Sequence, residues 1–117
     1  YLEMIGRCMQ ENGYVRVNAL ANKLHVRPSS VSKMVNKLRE LDLVQFEKYG
    51  LITTTEKGYD EAQYLLWRHE VLLRFFRRLN GEDDQLTLVE QVEHFLDKRT
   101  VENLDRLLRK LETNFIE

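Results

Sequence analysis

Apolar residues recur at three- and four-residue steps through most of this chain, and β-prone stretches are few and short. That pattern predicts a mainly α protein. Residues 1 to about 12 (YLEMIGRCMQEN) read as a first helix, with Gly13 as its left-handed exit. Tyr14 to Val17 is short and β-prone. Asn18 is placed to cap a second helix over roughly Ala19 to Leu24, with Leu20, Ala21 and Leu24 facing inward. His25 to Pro28 makes a tight turn, its proline standing just ahead of a third helix, where a missing N–H costs nothing. Ser29 or Ser30 is the expected cap of that helix, which runs to about Leu41. Val31, Val35, Leu38 and Leu41, with Met34, define its buried face. Val44 to Glu47 and Leu51 to Thr54 are short strands around Lys48-Tyr49-Gly50, where the glycine permits a tight hairpin turn.

The remainder is helical. A long helix starts near Thr54 or Thr55 and runs to about Leu79, apolar nearly all round, so it needs more than one partner surface. Asn80-Gly81 breaks it, a shorter helix spans roughly Leu86 to Leu96, and Thr100 is the expected cap of a last one from Val101 to about Asn114. The order helix, helix, turn, polar-faced helix, hairpin describes a winged helix-turn-helix over residues 1–56. The expected fold is therefore three helices plus a two-stranded wing, followed by an all-helical dimerisation domain over residues 57–117. Modules of this type usually work as pairs, which makes a homodimer the expected state.

Charge sharpens the picture. The net charge is −1, yet Arg16 to Lys48 holds seven basic residues against three acidic ones, so this segment carries +4 and the rest −5. A basic patch on an otherwise acidic chain is an electrostatic footprint for phosphates. The third helix supplies the detail. Its polar face holds Ser29, Ser32, Lys33, Asn36 and Lys37, with no acid until Glu40. Hydroxyls and amides of this kind hydrogen-bond base edges, and lysines reach guanine acceptors or phosphates. Arg27, Pro28 and Ser30 flank that face, and Lys48 and Tyr49 stand at the wing tip for backbone contacts, which makes double-stranded DNA the expected partner. An amphipathic helix whose polar face meets only water is the alternative.

The stretch VEQVEH puts Glu90, Glu93 and His94 at helical i, i+3 and i+4 spacing, where three side chains can converge on one ion. A merely solvated Glu/His face has the same spacing. His69, between Trp67 and Val71 in the most apolar stretch, needs a polar partner, and Glu3 is an acid in the apolar opening turns of the first helix. Cys8 reads as a small core residue; being the only cysteine it excludes an internal disulfide and thiolate zinc fingers, which suits the cytoplasm. There is no run of about 18 apolar residues, so no membrane span is expected, and no phosphate loop or nucleophile motif that would suggest an enzyme. The chain opens at Tyr1 rather than Met, so residues are expected in front of it.

The run RPSSVSKMVNKLRELDLVQFEKYGLITTTEKG resembles the helix-turn-helix and wing of the manganese-responsive branch of the diphtheria toxin repressor family. WRHEVLLRFF and VEQVEHFL, at matching distances downstream, extend the resemblance over essentially the whole chain. It implies a metal-dependent repressor of metal-uptake genes, with Glu3, His69, Glu90, Glu93 and His94 as ligands of a two-ion site. The family pattern adds an Asp immediately before the residue that matches Tyr1. The iron-responsive branch places a Met and a Cys in the site, and Glu90 stands where that Cys would be. Carboxylates and imidazoles suit Mn(II), a hard ion. Two Mn(II) per subunit are therefore expected, with Fe(II), Co(II), Zn(II) or Cd(II) entering in vitro and no organic cofactor. The alternatives are an iron-responsive repressor of the same family, and a winged-helix regulator answering to a small organic ligand.

Overall fold

In a computed structural model describing residues 1–81 and 84–115, the chain forms two compact units, residues 1–66 and the residues from Trp67 onward. The first unit is built from α1 (Leu2–Asn12), β1 (Val15–Arg16), α2 (Val17–Leu24), α3 (Pro28–Glu40), β2 (Val44–Glu47) and β3 (Leu51–Thr54). The opening turns of α4 (Glu56–Asn80) complete it. Its core holds four of the inward positions expected from helical spacing, Leu20, Ala21, Val31 and Val35. With them are Leu2, Ile5 and Cys8 of α1, Val15, Val44 and Ile52 of the strands, and Ala62 of α4, while Leu24 and Leu38 pack against it partly buried. Leu41 is a correction. It lies past the last turn of α3 and is 59% exposed, because the chain has already left the helical path that would have carried it inward.

The β element is larger than a hairpin. β2 and β3 pair antiparallel with Val44 opposite Thr54 and Glu47 opposite Leu51, as a two-stranded wing should. β1 then joins the free edge of β3, Val15 opposite Ile52 and Arg16 opposite Leu51, so the sheet order is β1-β3-β2. The β-prone stretch Tyr14 to Val17 is too short for its sequence to show this pairing.

Helix ends also differ from expectation. α2 starts at Val17 with Arg16 in the extended N-cap position, so Asn18 lies within its first turn rather than capping it. α3 starts at Pro28 with Arg27 as N-cap, placing Ser29 and Ser30 inside the helix. Proline's fixed φ is already helical, so it opens the helix one or two residues earlier than a serine cap would. α4 is capped by Thr55, whose hydroxyl oxygen accepts from the N–H of Gly58 (3.0 Å) while its O–H donates to the carbonyl of Asp42 (2.7 Å).

The second unit consists of the rest of α4, then α5 (Leu86–Val92), a 3₁₀ turn over Glu93–Phe95, and α6 (Lys98–Phe115). Val71, Val101 and Leu108 form its core with Trp67, Phe75, Leu96 and Leu104 packed around them. Arg74 ties α4 to α6, bonding Glu112 at 2.8 Å and lying 3.5 Å from buried Asp105, which also pairs with Arg109. The Glu112 carboxylate holds the Arg74 guanidinium above its ordinary range. The cap of α6 is not Thr100 but Asp97, whose carboxylate accepts from the N–H of Thr100 (2.8 Å). Among the described residues, no helix is long and apolar enough to cross a membrane.

Candidate nucleic-acid interface and metal centre

The first unit presents α3 and the β2–β3 wing on a shared scaffold. Val31 and Val35 anchor one side of α3 in the core, which leaves the other side open. Arg27, Pro28, Ser29, Ser30, Lys33 and Lys37 are exposed there, with Ser32 and Asn36 half-buried between them. All eight are candidates on sequence alone, and the structure brings them together on and just before one helix. The preceding turn holds His25 in the left-handed region (φ 56), closing α2 with N–H bonds to Asn22 and Ala21 through His25 and Val26. A short helix, a tight turn and a second helix with a polar outer face can place that face in a major groove.

The wing tip is more constrained than its sequence suggests. Tyr49 (φ 63) and Gly50 (φ 73) are both left-handed. The conformation costs a tyrosine about 1–2 kcal/mol, so its surroundings must hold it. Two contacts do so. The Arg16 guanidinium donates to the Tyr49 carbonyl (3.1 Å), and Gly50 lies so near Val17 that a Cβ there would sit 3.3 Å from its Cγ2. The Tyr49 side chain is 91% exposed, and Lys48 beside it is exposed too. In the sequence Arg16 is one more basic residue of the +4 segment with no role of its own, since only the β1–β3 pairing carries it to the wing.

In the second unit, two candidate ligands meet. His69 of α4 and Glu93 of the 3₁₀ turn are buried, at 8% and 5% exposure, with Nδ1 3.2 Å from Oε2. With its proton on Nδ1, His69 donates to the carboxylate and leaves the Nε2 lone pair unused. With the proton on Nε2, two lone-pair donors face each other, and a cation between them relieves the conflict. Either way the pair offers a nitrogen and hard oxygens in a setting where a lone charge would be costly. This donor set fits a hard divalent ion.

The rest of the candidate set is distributed differently. The other Glu93 oxygen lies 3.9 Å from Nε2 of His94, which is mostly exposed. Glu90 is exposed on α5. Because α5 ends at Val92, VEQVEH does not form one continuous α-helical face as its spacing suggested. Tightening into a 3₁₀ turn sends Glu93 inward and leaves Phe95 86% exposed. Glu3, in the first unit, is half-buried on α1 and pairs with Arg7 at 3.6 Å.

Family profiles decide the class of protein. Residues 1–52 match the iron dependent repressor N-terminal DNA binding domain. Residues 55–115 match the iron dependent repressor metal binding and dimerisation domain. The chain belongs to the iron dependent repressor family. It is a metal-dependent, DNA-binding transcriptional repressor and not an enzyme.

Among its relatives, the repressor is 35% identical to the HTH-type transcriptional regulator MntR of Bacillus subtilis over 113 residues, 96% of this chain and 80% of that protein. The solved structure of the manganese regulator SloR is similar at TM-score 0.80 and 29% identity, over 93% of this chain and 52% of that one. A manganese-dependent transcriptional repressor in complex with manganese matches at TM-score 0.79 and 29% identity, over 92% of this chain and 50% of that one. The repressor thus spans about half the length of these solved chains, and about four-fifths of MntR. The mainly helical winged fold expected from the apolar pattern is the one found.

Proposed function

We propose that this repressor responds to Mn(II), works as a cytoplasmic homodimer on double-stranded operator DNA, and controls metal-uptake genes. The observation that carries the reading is the buried His69–Glu93 pair inside the metal binding and dimerisation domain. Glu3, His69, Glu90, Glu93 and His94 are the residues that would hold the metal, two ions per subunit. Their oxygen and nitrogen donors suit Mn(II), and give no special reward to softer ions. Two solved relatives named for manganese support the same choice. Fe(II) is the second reading, favoured by the name of the family.

In this scheme residues 1–56 read DNA and residues 57–117 bind metal and pair. Ser29, Ser30, Ser32, Lys33, Asn36 and Lys37 face the major groove, with Arg27 and Pro28 at the helix start and Lys48 and Tyr49 on the backbone. Exposed Phe95 and Leu79 of the second unit provide apolar surface suited to a second copy. When bound, the ion would supply positive charge to offset the carboxylates of Glu3, Glu90 and Glu93. Glu3 belongs to residues 1–56 and the other candidate ligands to residues 57–117, so ligation by all of them would restrict the DNA-reading half before it meets its operator. Recognition helices held about 34 Å apart then find successive major grooves with less ordering cost.

Titration of the full chain with Mn(II), Fe(II), Co(II) and Zn(II), with and without duplex DNA, tests the reading. Mn(II) is expected to tighten duplex binding roughly 5- to 150-fold. Glu93→Ala should lose that gain while keeping the helical circular dichroism of the parent. Operator affinity that is the same in Mn(II) and in chelator would refute metal control, and a larger gain with Fe(II) would favour the iron reading.

A further inference from the structure

We infer that Arg16 is a positioning residue for DNA binding, presetting the wing tip rather than contacting the duplex itself. The inference rests on the DNA-binding role given above to Lys48 and Tyr49.

Three observations within the first unit converge on it. Arg16 is the second residue of β1 and pairs with Leu51, the first residue of β3 after the wing tip. From there its Nη1 donates to the Tyr49 carbonyl across 3.1 Å, bridging 33 residues of sequence. Its guanidinium also lies 5.8 Å from the centre of the Tyr14 ring, within cation–π range. The guanidinium is thus committed on two sides to this chain, a geometry its planar fork allows and a lysine ammonium reproduces poorly.

The carbonyl it holds belongs to the left-handed tyrosine. Left-handed residues in succession at 49 and 50 are not a conformation a free KYG loop would keep. A donor on that carbonyl favours the orientation of the 49–50 peptide that presents the Tyr49 ring outward. Without it, the loop samples other conformers, and duplex binding must select the competent one from among them.

The test uses the full chain and a duplex recovered by the wild-type chain from a random-sequence pool with Mn(II) present. Arg16→Ala should weaken binding to that duplex about tenfold, the order expected for loss of a charge-assisted hydrogen bond. In a Lys48→Ala/Tyr49→Ala background, the same Arg16→Ala change should alter binding less than twofold, because the groups it positions are gone. If the losses instead multiply, Arg16 touches DNA directly and the inference falls. It falls equally if Arg16→Ala alone has no effect.

A second readout needs no DNA. Amide order parameters at Tyr49 and Gly50 should drop from the rigid value near 0.85 to below about 0.6 in Arg16→Ala, with the rest of the sheet unchanged. Unchanged values would overturn the positioning role even where DNA binding is strong. A wild-type chain that recovers no duplex would sink the DNA-binding reading, leaving the relaxation result to judge the loop by itself.

Discussion

A methyl group on Gly58 would overlap the carbonyl oxygen of Leu43 and come within 3.1 Å of its Cα. The N-terminal turn of α4 lies directly on the backbone between α3 and β2, and the atoms it meets are main chain, which cannot rotate away. Gly58→Ala is therefore expected to destabilise the first unit by about 3 kcal/mol or more. At roughly 4–8 °C per kcal/mol, thermal melts should shift down by 10 °C or more. A shift of a degree or two would contradict this packing. In the sequence, EKG reads as an ordinary helix start, since the crowding comes from a residue fifteen positions away. Tyr49 is similar: its left-handed backbone depends on Arg16, which lies far off in sequence. From sequence, His69 is recognisable as a polar residue needing a partner and Glu93 as a candidate ligand on a face that could equally be solvated. That they partner each other is a fact of packing.

At the scale of elements, interiors were readable and ends were not. Val31 and Val35 follow α-helical spacing, and burying them is what gives α3 a stable register. The caps of α2, α3 and α6 each lie two or three residues from the positions expected, because several polar residues near each start could have served. Asp97 illustrates the choice and its consequence. Thr100 donates to its carboxylate and lowers its pKa below the ordinary 3.8. The folded form thus prefers the ionised acid, so the contribution is full above the unfolded value and is lost as pH falls through the lower, folded one. Asp97→Asn keeps a capping oxygen that does not titrate. Its melting temperature should therefore fall less between pH 5 and pH 2 than that of the parent. Parallel acid limbs for the two proteins would remove Asp97 from the account. The 3₁₀ turn at Glu93–Phe95 is the other element-level surprise, since VEQVEHF has helical spacing to its end. Its tightening separates the buried Glu93 from the exposed Phe95 in two residues.

For the whole molecule, charge distribution matters more than charge. A net −1 would weaken any general attraction to DNA, but the +4 segment falls on the very unit that carries α3 and the wing. If Lys37 meets a phosphate, Lys37→Ala should flatten the dependence of log affinity on log salt by about 0.9 per contact, nearly 2 for a dimer. A slope equal to that of the parent would place Lys37 away from the backbone. Much about this repressor is determined by its sequence alone: the helical interiors, the paired wing strands, the basic reading face, and the oxygen- and nitrogen-rich set of candidate ligands. These are readable because periodicity and side-chain chemistry are local properties. Only the tertiary structure decided that β1 completes the sheet, that Arg16 holds the wing tip, that α4 presses Gly58 onto Leu43, and that His69 faces Glu93. Each joins residues distant in the chain, and such contacts are chosen by the packing of the whole core rather than by any segment's own preference.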